Sequence, residues 1–157
     1  MIRASVTTVG GPKALAKQMR RERKAALAAA GLHWHAKIHP EHYTIAAEKR
    51  YGYQPRDIDY TRKKAKRYGH RRPLVYTGAT EIMTTLRART TGTSRRVSVR
   101  MRGPRYLYQY RKDYRQPDKA AELTTTDDRD IAILERIITD FLGDKFRSNT
   151  EIDRLRG

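Results

Sequence analysis

Four histidines, His33, His35, His39 and His42, fall within ten residues and are the first side chains in this chain whose spacing suggests chemistry. His35 and His39 stand four apart, so a helix brings both rings to one face, as metal-binding histidines require. The rest of a metal shell is missing from the pattern. His39 directly precedes Pro40, and no carboxylate occupies the positions where a helical zinc protease carries its base. Imidazoles in solvent or at an interface need no ligand to account for them. The expectation is a structural group without a metal.

A second constellation is cationic. Arg62, Lys63, Lys64, Lys66, Arg67, Arg71 and Arg72 succeed one another without an acid, and Tyr60 and Tyr68 flank or interrupt the run. Such side chains displace counterions from a phosphate backbone, and tyrosine faces stack on bases. The same run suits an acidic protein partner or a solvated loop, and no recognised nucleic-acid motif selects among the three. These seven residues are the candidate contact site for a partner or DNA. Asp127, Asp128 and Asp130 crowd a predicted helix start, where the helix dipole accounts for them without metal or acid–base work. Asp57 and Asp59 lie amid positive charge, so a counterion role is expected of them. Glycine-rich phosphate loops, a nucleophile elbow and a zinc-protease motif are all missing. The residues call for no enzyme and no cofactor.

The elements that must position these groups are legible in part. Residues 1–12 read as an N-terminal arm, with Gly10, Gly11 and Pro12 breaking the chain. From 13 to 38, Leu15, Met19, Ala26, Ala30, Trp34 and Ile38 fall near one helical face, so a long helix is predicted, with Gly31 as a candidate split and Pro40 as its end. Residues 40–72 hold five of the ten tyrosines and little apolar periodicity, which predicts a long irregular stretch; a short helix over 44–50 also fits. Its basic part, 54–72, is expected to be loose in the free subunit and ordered by assembly. Ala79, Ile82, Met83 and Leu86 have helical spacing, whereas Leu86, Ala88 and Thr90 alternate as a strand does. Val97, Val99 and Met101, then Tyr106, Tyr108 and Tyr110 beyond Gly103 and Pro104, describe a β-hairpin. Thr125 is a candidate cap for a closing amphipathic helix over 127–146, whose stripe of Ile131, Leu134, Ile138, Phe141 and Leu142 is expected to pack on the Val97, Val99 and Met101 face. The predicted fold class is α+β: one domain over 13–146, followed by a tail over 147–157.

With 157 residues and no cysteine, the chain has one core and no disulfide or thiolate metal site, which suits a reducing cytosol. It lacks a signal-peptide pattern and any apolar run of membrane-spanning length, so a soluble protein is expected. Its net charge of +18 opposes compaction unless a polyanion or acidic partner neutralises it. Residues 1–112 carry net +21 and residues 113–157 net −3, an asymmetry suited to head-to-tail association.

The run Tyr51, Gly52, Tyr53, Pro55, Arg56, then Tyr60, Lys63 and Lys64, then Gly69, His70, Arg72, Pro73, Leu74, Val75, Thr77 and Gly78 resembles the tail-completion, or neck, proteins of tailed bacteriophages, also called virion morphogenesis proteins. In that family a threonine-glycine step leads to an amphipathic segment, a hairpin and a closing acidic amphipathic helix, the order found here from about Gly31 to Phe146. The chain departs from the family over 116–123, where many members carry a proline-aromatic segment. The resemblance implies a virion structural protein assembled in the host cytoplasm. Six subunits would form a ring between the head connector and the tail terminator or tail tube, with DNA passing through the lumen. The other reading that the residues support is a basic nucleic-acid-binding protein.

Overall fold

The computed structural model describes residues 11–86, 88–108 and 118–155. The arm before Gly11 and Tyr110 of the expected hairpin therefore lie outside the described residues. The fold is α+β, with seven α-helices and one two-stranded antiparallel sheet among those residues.

Helix α1 (Pro12–His33) starts on Pro12, whose fixed φ suits a first helical position and whose missing amide costs nothing there. Its first half is a basic, solvent-facing rod on which even Leu15 and Met19 are exposed. Its second half buries Ala26, Ala30 and Gly31, small residues that admit two neighbours. One is the long C-terminal helix α7 (Asp128–Leu155), and the other is the hairpin of β1 (Ala88–Gly92) and β2 (Val97–Met101). Gly31 does not split the helix; it makes room for the sheet. A Cβ there would stand 2.8 Å from Val97 Cγ2 and 3.3 Å from Val99 Cγ2. The chain then widens into a π-helical turn, Trp34–Ile38, and tightens into a 3-10 turn, His39–Tyr43, so helical structure continues through Pro40. Proline tolerates this because it opens the second turn, where its nitrogen needs no acceptor.

Three expectations need correction. First, β2 pairs with the upstream strand, Ala88 opposite Met101 and Gly92 opposite Val97, and not with 106–108. Thr93 closes the connecting loop by accepting from the amides of Arg95 and Arg96, each at 3.2 Å. After Pro104 the chain forms a helical turn, α5 (Arg105–Tyr108), which drops Leu107 into the core. Second, 40–72 is not irregular. Helices α2 (Ala47–Arg50) and α3 (Ile58–Tyr68) lie within it, and His39, His42, Tyr43, Ala47, Tyr51 and Tyr53 are all buried. Asp57 caps α3 by accepting from the Tyr60 amide at 2.9 Å, and Gly69 ends it in the left-handed region at φ 70°. Third, α7 packs on α1 and the following π turn, and it runs on to Leu155, well past the expected boundary at Phe146. Ile131 is exposed and Leu134 and Ile138 are half-buried, so its stripe is a side wall of the molecule.

The core lies elsewhere. Tyr43, Val75, Leu107 and Leu123 form one cluster, and Ala47, Tyr51 and Tyr53 form a second, with Leu74 packed against both. Leu123 comes from α6 (Lys119–Thr124), whose Asp118 cap accepts from the amides of Ala120 and Ala121. Helix α4 (Ala79–Leu86) turns Thr80 and Thr84 inward, so Tyr43 bonds to the Thr84 hydroxyl while Tyr106 bonds to Thr80 Oγ1 at 2.6 Å. Aromatic bodies with polar tips thus supply much of the buried volume that aliphatic residues would otherwise provide.

Candidate functional site

The histidines converge as stacked rings. His35 Nε2 donates to the Thr84 carbonyl at 2.8 Å, which leaves its ring stacked on that of His39 with centroids 5.6 Å apart. His39 is fully buried among Trp34, His42 and Tyr43, and neither of its nitrogens has a hydrogen-bond partner among the described residues. His42 lies flat on Tyr51, 4.0 Å between centroids, and its Nδ1 hydrogen-bonds to the Tyr53 hydroxyl. Burial lowers the pKa of both His39 and His42 to about 4. For His39 the neighbouring histidines push the same way, whereas Asp130 and Asp127 partly oppose the shift at His42. Both rings are therefore neutral near pH 7. No group of three or more potential metal ligands occurs among the described residues.

Beneath this stack lies a hub that the sequence reading missed. Arg50 pairs at once with Glu41, with Asp127 at 2.7 Å, and with the fully buried Asp130. Asp127 and Asp130 also cap α7 reciprocally: Asp127 Oδ1 accepts from the Asp130 amide at 2.8 Å, and Asp130 Oδ2 from the Asp127 amide at 3.4 Å. Thr125, the expected cap, instead donates its hydroxyl to Ala121 at the end of α6. The hydrogen bond from Arg50 holds the Asp127 carboxyl down at about 2. A second internal pair joins Arg56 to Glu122, and Glu122 also accepts from the Gln54 amide at 3.2 Å. A signal for the α7 cap was present in the Asp-Asp-Arg-Asp spacing; nothing local marked Arg50 or Arg56 as their distant partners.

The seven candidate cations divide into three groups. Arg62, Lys63, Lys66 and Arg67 are exposed on α3, spread over an arc of about 140° at 3.6 residues per turn. Arg71 is exposed beyond the helix, with no acidic partner among the described residues. Lys64 and Arg72 are turned inward: Lys64 is buried with its Nζ donating to the Arg72 carbonyl, and the Arg72 guanidinium pairs with Glu81 at 3.2 Å. Tyrosines fasten this segment from beneath. Tyr60 and Tyr68 lie eight apart on α3 and both meet Tyr76, at 6.2 and 4.6 Å between centroids. Lys64 Nζ sits 5.8 Å from the Tyr60 centroid and the Arg67 guanidinium 5.5 Å from that of Tyr68. The result is a helix that presents four unburied cations, with a fifth, Arg71, just beyond its end.

Set against protein-family models, curated proteins and solved structures, the chain has no match.

Proposed function

We propose that this chain is a structural subunit of a tailed-bacteriophage neck ring, seated between the head connector and the tail, where it acts by assembly geometry and breaks no bond. The observation that carries the reading is the order of its parts. The Thr77-Gly78 step opens α4, the hairpin follows, and a long amphipathic helix closes the chain.

Two surface features support a subunit over a free monomer. Ile82, Met83 and Leu86 stand together on the outer side of α4, and Leu15, Met19, Ile131 and Ile133 are also exposed. Apolar groups clustered at helical spacing are what a subunit seam requires. The cationic face of α3 offers the same ring a surface for an acidic partner or for DNA in the lumen.

The test is electron microscopy of particles assembled with the chain, together with an Ile82→Asp, Leu86→Asp double variant that remains folded by circular dichroism. A closed ring at the head–tail junction, lost in the variant, is expected. Finding the chain along the packaged genome without ring density would replace this reading with that of a basic nucleic-acid-binding protein.

A further inference from the structure

The segment that bears the cations also encloses a cleft. An open volume of about 570 Å3 lies beside α3, lined by Arg56, Ile58, Tyr60, Arg62, Lys64 and Arg71, with Glu48 as its one acid. Lys64 is the unusual member. It is only 5% exposed, and among the described residues the Arg72 carbonyl is the single acceptor for its three protons. No carboxylate among the described residues pairs with it; its charged surroundings are Arg56 and Arg72, with Glu48 as the acid acting on it. A buried ammonium between two guanidiniums, with one carbonyl for company, is short of an anion.

The neighbouring cations are available for one. Arg71 has no acidic partner among the described residues. The pair of Arg62 is a fully solvated contact with Asp59 at 3.8 Å, and such contacts exchange readily for a better-placed anion. Arg56 differs: Glu122 holds its guanidinium, so it forms a wall and not a ligand.

We propose that this cleft binds a phosphate ester of a polynucleotide, with Lys64, Arg62 and Arg71 on the phosphate oxygens and the Tyr60 ring against the attached sugar or base. A phosphodiester and a carboxylate each offer these cations two charged oxygens, so what selects the polynucleotide is the sugar and base that its phosphate carries. The mouth suits the organic part as well. Tyr60 is 43% exposed there, and Ile45 and Ile58, at 72% and 68%, form an apolar lip. Aromatic and apolar groups beside a basic groove are the means by which proteins hold single-stranded nucleic acid without reading its sequence. The site depends on residues of one subunit and needs no ring, so its failure and the failure of the neck reading are separate outcomes.

Lys64 supplies a signature that diffuse charge would not. Burial, then Arg56 and Arg72, lower its pKa to about 8 against the opposing pull of Glu48. Tyr60 and His70 are the other titratable groups beside it. A phosphodiester has no ionisation of its own near that pH. Affinity should therefore fall as pH rises through about 8, as the ammonium loses its proton.

The experiment titrates the full chain at low salt with a short oligothymidylate, inorganic phosphate or oligoglutamate, followed by calorimetry and amide chemical shifts. Oligothymidylate should bind more tightly than the other two and perturb α3 and the amides near Arg71. Arg71→Gln should weaken it about tenfold, the scale of one charge-assisted hydrogen bond. Arg95→Gln, an equal loss of charge on the hairpin loop, should change it less than about twofold. Lys64→Met should flatten the pH dependence; because it alters a buried residue, Arg71→Gln carries the test if that variant misfolds. Equal effects of the two arginine variants would overturn the proposal in favour of diffuse attraction. Inorganic phosphate binding as tightly as the oligonucleotide would overturn the ester, and tighter oligoglutamate binding would make the cleft a protein dock.

Discussion

Mild acid should destabilise this protein, and the buried histidines fix both the sign and the size of the effect. His39 and His42 titrate at about 4 in the folded chain, against 6.5 when free. Between those values the unfolded chain binds protons that the folded chain refuses, so stability rises with pH across the window and is lost as pH falls from about 6.5 toward 4. From pH 7.5 to pH 5 the two titration curves imply a loss of about 2 kcal/mol for each ring. The pair would remove about 4 kcal/mol from a domain whose whole stability is on the order of 5–15 kcal/mol.

Urea unfolding followed by far-ultraviolet circular dichroism at several pH values measures this directly, with a constant m-value as the check that only stability has changed. His39→Phe separates the two rings. Among the described residues neither nitrogen of His39 has a partner to lose, and a phenyl ring retains the contacts with Trp34 and Tyr43. At pH 7.5 the variant should lie within about 1.5 kcal/mol of the parent, as a near-isosteric swap does. Across the window it should lose about 2 kcal/mol less. A midpoint that stays flat from pH 7.5 to pH 5, or a pH slope unchanged by His39→Phe, would refute the reasoning.

Three further outcomes follow from the packing. Arg50→Met leaves the buried Asp130 carboxylate without its cation and should cost about 3–5 kcal/mol in urea unfolding; a loss below about 1 kcal/mol would mean that water replaces the guanidinium. Gly31→Ala places a methyl against Val97 and Val99 and should cost about 1–3 kcal/mol, read as a lower thermal midpoint with the sheet retained. Leu123→Ala empties a fully buried site and should cost about 2–5 kcal/mol, whereas Leu134→Ala on the half-buried face of α7 should stay under about 2 kcal/mol; the reverse ranking would move the core to α7.

Periodicity revealed the elements it is built to find. The long first helix and the amphipathic closing helix were legible because Ala, Leu, Lys, Arg and Glu favour helices and their apolar residues recur at helical spacing. It failed where burial is aromatic. Between His39 and Tyr53 the buried residues are mostly histidine and tyrosine, which a search for Leu, Ile and Val periodicity passes over, so part of the core read as a loop. The basic run reads as a loose stretch on charge repulsion alone, whereas the Asp57 cap, the Gly69 terminus and the Tyr60–Tyr76–Tyr68 contacts make it a helix. Tyr106, Tyr108 and Tyr110 alternate as a strand does and so point Val97–Met101 to the wrong partner, whereas the Thr93 side chain, which ties the loop to the Arg95 and Arg96 amides, points to the upstream strand. Of the candidate site, the cations were all named. That Lys64 and Arg72 face inward depends on contacts with residues on neighbouring turns and elements, which composition does not reveal.

The charge asymmetry takes on a different meaning once its partners are known. An acidic C-terminal region and a basic body suggest head-to-tail attraction between copies, yet Glu122, Asp127 and Asp130 are already held by Arg56 and Arg50 of the same chain. Among the side chains described on α7, the acids left to a neighbour are Asp128, Glu135, Asp140 and Asp144, and Asp140 is shared with Arg136 at 3.6 Å. Opposite charges of that kind, exposed and screened over about 8–10 Å of salt solution, guide approach more than they hold a contact. On the neck-ring reading, the strength of the seam must then come from apolar groups such as Leu15, Met19, Ile82 and Leu86. The excess positive charge remains outward on α1 and α3, where it repels other copies unless an anion lies between them. A polyanion threaded through the ring would meet that requirement, and the subunits would gain by closing around it.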